Sequence, residues 1–230
     1  PQTAYTEEEL AHFDDFLARG GNLILLAEPE NEAVRPLLGR FGLELMEGCL
    51  AQKPLIELAN VVATGFLPQS KDCWGELRNF RPAPMALVGA AGLRLQRSTD
   101  YKAFPLMATA PEAWVKYGKV DWIMGPVEPD PAKGEKVGSN ITAFGFTRTV
   151  GDREQRIFVC GDADWLSNRG LFENLQGFSG HYPKIVNSML CAWMTYGEAP
   201  FMLTYKQGTD VHITTTMTGV LWAKILLIWG

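Results

Sequence analysis

The stretch RIFVCGDADWLSN, residues 156–168, concentrates residue types that do chemistry. Its apolar run, Ile157 to Cys160, suits a buried strand and ends on a thiol. Gly161 follows, then two carboxylates two positions apart, Asp162 and Asp164, and then Ser167 and Asn168. Carboxylates in a turn can point the same way, and hard divalent cations favour such oxygens. The same residue types also close turns and cap helices by bonding their own backbone. Glu28 and Glu30 stand in the same relation to an earlier apolar run, Leu23 to Ala27. Open α/β sheets bind ligands beyond their strand C-termini, so these carboxylates make a candidate rim. Solvated loop residues are the plainer account. No further ligand set accompanies them, and no metal site is expected.

A nucleophile reading centres on Cys160 with His181. A catalytic thiol needs a lowered pKa and an orienting group, and neither is evident here. Cys160 precedes its glycine instead of standing between two small residues, and no GxSxG elbow occurs. Arg19-Gly20-Gly21 comes before a strand, where a dinucleotide fingerprint comes after one, so it reads as a helix stop. Gly89-Ala90-Ala91-Gly92 is a small-residue turn. There is no Walker motif and no CxxC. Cys160 and Cys191 read as buried free thiols. No catalytic residue and no cofactor are expected.

The elements that would position these groups are those of an α/β protein. Thr6 and Glu9 form a capping box, after which Leu10, Phe13, Phe16 and Leu17 recur at helical spacing. Two glycines stop that helix before LILLA, residues 23–27. Glu32 to Arg40 is a short helix with Val34, Leu37 and Leu38 on its apolar side, and residues 41–45 enter the sheet edge or a small excursion from it. Residues 141–150 and 156–160 make a hairpin about Gly151, and 183–196 a helix closed by Gly197. Strands without alternation predict a parallel sheet buried on both faces. The expected fold is a three-layer α/β sandwich with a mostly parallel sheet, flavodoxin-like or class I amidotransferase-like, with 141–150 antiparallel toward one edge. Residues 48–135 read as short strands with long connections, an irregular insertion within a domain spanning 1–218.

The 230 residues are 47% hydrophobic with a net charge of −5, which supports a real core and argues against nucleic acid as a partner. His12, His181 and His212 are too scattered for a histidine metal centre. The chain opens on Pro1 without a basic-apolar leader and reads as a piece of a longer protein. Its end, GVLWAKILLIWG, residues 219–230, is either a core helix or the first part of a transmembrane anchor. Trp74, Trp114, Trp122 and Trp165 keep open a carbohydrate- or peptide-binding role.

Three segments in this order resemble a known family. YTEEELAHFDDFLARGGNLILLAEP (5–29), VCGDADWLSN (159–168) and Asn187 followed by the Leu190–Met194 helix are similar to the gliding-motility-type ABC transporter auxiliary proteins. Related domains occur in intraflagellar transport proteins. The resemblance implies an amidotransferase- or flavodoxin-like fold without catalytic residues. It implies a non-catalytic, extracytoplasmic (periplasmic) domain anchored at a bacterial inner membrane, binding or scaffolding beside membrane ABC transporter subunits. The alternatives from other classes are a degenerate amidotransferase- or hydrolase-like enzyme and a carbohydrate- or peptide-binding domain.

Overall fold

Helix α1, Glu7–Ala18, starts on the reciprocal bonds of its capping box. The Thr6 hydroxyl accepts from the Glu9 N–H at 3.2 Å, and the Glu9 carboxylate accepts from the Thr6 N–H at 2.8 Å. Strand β1, Leu23–Leu26, follows. A 3-10 turn, Glu32–Val34, runs into α2, Arg35–Arg40. The chain then lays down β2 (Leu43–Leu45), β3 (Cys49–Ala51), β4 (Val61–Phe66), β5 (Met85–Val88), β6 (Leu93–Leu95), β7 (Lys102–Thr109) and β8 (Trp114–Lys116). The hairpin β9 (Ile141–Val150) and β10 (Arg153–Cys160) comes next, then a 3-10 turn at Asp164–Leu166 and α3, Tyr182–Met194. This computed structural model describes residues 3–53, 61–68, 85–118, 127–166 and 182–198. All lie within one compact unit, Pro1–Ala199.

The fold is mixed α/β with a curled, partly open sheet. Six strands order as β1-β10-β9-β7-β4-β5, and β2-β6 and β3-β8 form separate two-stranded ladders. The expected mostly parallel sheet is corrected. Among the described strands only β1 and β10 run parallel, while β10-β9, β9-β7, β7-β4 and β4-β5 are antiparallel. The reason lies in what buries the strands. Ile157 and Val159 of β10 face a cluster with Leu10, Leu17, Leu37 and Leu38 of α1 and α2. Phe158 and Cys160 face a second cluster with Val186, Met189, Leu190 and Trp193 of α3. Helices on both faces make a strand apolar throughout whether its neighbours run parallel or not. Each such Leu or Phe contributes about 2 kcal/mol by leaving water.

The hairpin forms as its sequence predicts, with Gly151 at φ +64 in the turn and Ile157 opposite Phe146. Its first strand is not near an edge, however, because β7 pairs along its other side. The middle region supplies that pairing: its strands β4, β5 and β7 belong to the main sheet, while β3, β6 and β8 lie in the two small ladders. Pro105 sits inside β7 beside a register shift, where the missing N–H is tolerated. Residues 43–45 are the excursion, paired with β6 and not with the six-stranded sheet.

Candidate functional site

A cleft of about 830 Å³ opens at the C-terminal ends of β1 and β10. Glu28, Pro29 and Glu30 line one side, Asp162, Ala163 and Asp164 another, with Gly48, Cys49, Val88, Gly89 and Gly118 between. The parallel pairing of β1 with β10 produces this, because it carries both post-strand loops to one end. Four of the residues singled out from sequence thus meet in one place. Glu28, Glu30 and Asp164 are exposed, and Asp162 is buried at 4% exposure. Ser167, Asn168 and His181 lie outside the described residues.

Asp162 closes the curl of the sheet. One of its oxygens accepts from the Val88 N–H at the end of β5 (3.1 Å), the other from the Asp164 N–H (2.8 Å). Beside it the Ala91 N–H donates to the Gly161 carbonyl at 2.7 Å. The far edge strand is thereby tied back to the end of β10. Gly161 is required for this approach, since a Cβ there would lie 2.1 Å from the Ala91 carbonyl oxygen. The run Gly89-Ala90-Ala91-Gly92, a turn by its composition, serves the same closure: Ala90 and Ala91 are fully buried. Four small residues in a row were the available signal for a close backbone crossing.

Electrostatics at the cleft follow from burial. Burial pushes the Asp162 carboxyl up to about 6, helped by the Asp164 charge and opposed by the N–H groups of Val88, Asp164 and Trp165. Burial, then the charges of Asp162 and Glu30, pushes the Cys49 thiol up to about 12. Cys160 is fully buried, and burial with the neighbouring Asp162 charge raises its thiol well above the ordinary value. A thiol held protonated and out of solvent does not attack a substrate. Cys191, expected buried, is exposed on α3. No group of His, Cys, Asp and Glu among the described residues is arranged to hold a metal ion. Trp114 and Trp165 are core residues at 0% and 3% exposure, so neither offers a face for stacking on a sugar. Trp74 and Trp122 lie outside the described residues. What the cleft can do chemically is present carboxylates to a cationic or hydrogen-bond-donating group.

No protein-family model matches the chain, and no curated protein matches it. A search of solved structures finds the mmIFT52 N-terminal domain, with a TM-score of 0.58 at 12% identity, covering 87% of this chain and 76% of that one. The fold is similar to that domain.

These findings correct the expectations drawn from the transporter-auxiliary resemblance. A solved structure that this chain matches over most of its length is an IFT52 domain, not an ABC-transport auxiliary protein or an amidotransferase. The auxiliary function, membrane ABC transporter subunits as partners and the periplasmic, membrane-associated placement fall with that assignment. No helix among the described residues is long and apolar enough to cross a membrane. Residues 219–230 lie outside those described. The motifs misled because they are structural hardware: a capped helix, a two-glycine stop and a loop that staples a sheet recur wherever α/β units are built.

Proposed function

We propose that this chain is a non-catalytic scaffold domain that holds another protein, with the carboxylate-lined cleft as its docking point. One observation carries the reading. The reactive groups that the sequence offers are spent on structure, Cys160 in the core and Asp162 in closing the sheet, while Glu28, Glu30 and Asp164 remain exposed around an open cleft. Likeness in fold to a domain of an intraflagellar-transport protein supports a scaffolding role. No basic residue is among the described residues lining the cleft. The complement of such a surface is a Lys- or Arg-bearing segment of the partner protein.

The test uses fluorescence anisotropy with a Lys/Arg-rich probe peptide and a Glu-rich control of equal length. Selective binding of the basic probe, weakened about tenfold or more in an E28Q/E30Q/D164N variant and by added salt, is expected. Equal binding by wild type and variant removes the cleft from the function. Rapid alkylation of Cys160 at neutral pH would return the protein to the enzyme class.

A further inference from the structure

Strand β1 is built like an interior strand but has one neighbour among the described residues. It runs parallel to β10 and is the last described strand of its sheet. Parallel strands are normally covered on both faces and paired on both sides. Both faces of β1 are indeed covered: Leu25 and Ala27 belong to the cluster under α1 and α2, and Ile24 and Leu26 pack against the cluster under α3. The Ala27 N–H donates to the Cys160 carbonyl at 2.8 Å. Alternation along a parallel ladder then turns the backbone groups of Leu23 and Leu25 toward β10 and those of Ile24 and Leu26 outward. The outward N–H and C=O groups have no partner among the described residues.

Proteins that keep such an edge to themselves protect it with a charge, a proline or a bulge. Leu23-Ile24-Leu25-Leu26 has none of these. The apolar surface also extends beyond the strand. Phe16, 39% exposed on α1, lies over Gly21 so closely that a Cβ there would sit 2.3 Å from its ring.

We infer that the outer edge of β1 pairs antiparallel with β1 of a second copy of this chain, about a two-fold axis at Leu25. The strand is self-complementary in this register. Ile24 of one copy faces Leu26 of the other, so the outward N–H and C=O groups of each satisfy those of its mate. The same register sets Glu28 against Asn22 and Glu30 against Gly20, next to the exposed Arg19, so the acidic end of one strand meets the neutral-to-basic end of the other. Two curled sheets then become one continuous sheet. The clefts lie at opposite ends of this interface, and Glu28 and Glu30 border both, so the test below reads the backbone amides of the strand and not the cleft.

Backbone amide exchange on the 230-residue chain, with sedimentation velocity over about 1 to 200 µM, tests the pairing by mass action. The expected result is a dimer that grows with concentration, with exchange of the Ile24 and Leu26 amides slowing about tenfold or more as it forms. Monomer throughout with fast exchange at both amides overturns the inference. So does a dimer that leaves these amides unprotected, and so does protection independent of concentration, which would mean the edge is covered within one copy. A Leu26→Lys variant should weaken the dimer about tenfold or more. If that variant fails to fold, the wild-type exchange measurement still decides.

Discussion

The two ends of the β1–β10 pair use polar residues in opposite ways. At the N-terminal ends the buried polar groups are spent on one another. The Gln155 amide, fully buried, donates to the carbonyls of Leu17 (3.0 Å) and Gly21 (2.6 Å) and accepts from Arg148 (2.7 Å) and the Tyr101 hydroxyl (3.2 Å). Asn22 and Arg156 donate to the carbonyls of Met194 (2.7 Å) and Trp193 (2.6 Å). The last carbonyls of α1 and α3, which no helix can satisfy internally, are thus taken up by the sheet. Even the groove there, of about 510 Å³, is lined by acids already paired, Asp14 with Arg40 and Asp100 with Arg148. At the C-terminal ends only Asp162 is spent this way, and the acids around it face a cleft with no lining cation among the described residues. A saturated network fixes the fold, and unsaturated charge is what remains for a partner.

The largest break in this comparison is Gln155→Leu. It leaves the carbonyls of Leu17 and Gly21, the Tyr101 hydroxyl and one Arg148 donor without their shared partner, while Leu17 keeps its bonds from Arg148 and the Gly20 N–H. A loss of about 4 kcal/mol is expected, read as a lower urea midpoint at unchanged slope. A loss below about 1 kcal/mol would mean that Arg148 alone can hold the end of α1.

Next in size is the pH response of Asp162. Its carboxyl is raised from 3.8 to about 6 by burial. Between those values the folded protein binds more protons than the unfolded chain, so this group's contribution to stability falls as pH rises through that window and is flat above it. About 3 kcal/mol is at stake. Stability of Asp162→Asn minus wild type should therefore climb by that order between pH 4 and 7, measured by urea unfolding. A difference that does not change with pH would show that Asp162 is not the buried titrating group.

Gly161→Ala should cost about 2 kcal/mol, because the obstructing atom is a backbone carbonyl and cannot swing aside. Faster exchange of the Val88 and Ala91 amides should accompany the loss, since the curl must open to admit the methyl group.

How much of this was legible in the sequence depended on the range of the interaction. The capping box, the Gly151 hairpin and the apolar faces of α1 and α2 are set by neighbours a few residues apart, and their signals were sufficient. The meeting of Glu28 and Glu30 with Asp162 and Asp164 was also legible, because strands that end in acidic loops converge when they run parallel. Strand order was not. Leu23–Leu26 and Ile157–Cys160 are apolar because helices cover both faces, and that pattern carries no record of a neighbour's direction. The partners of Gln155 at Leu17 and Gly21 are more than 130 positions away, with separations of 138 and 134. A single glutamine in a polar-looking strand start gives no sign of them.

The smallest effects should come from the rim itself, and their smallness sharpens the contrast. Glu28→Gln and Glu30→Gln remove exposed charges with no ion pair among the described residues, so each should leave stability within about 0.5 kcal/mol of wild type. Glu30→Gln should nevertheless register on Cys49, whose thiol is raised first by burial and then by the charges of Asp162 and Glu30. Removing the third of these lowers the thiol pKa slightly and increases its thiolate fraction, so alkylation at pH 8 should speed up by about twofold. Cys191, exposed and outside the cleft, is the internal control and should not change. If both cysteines respond alike, the variant has loosened the whole fold. If neither responds, Glu30 does not project its charge into the cleft, and the rim loses one of the three acids proposed to meet a partner.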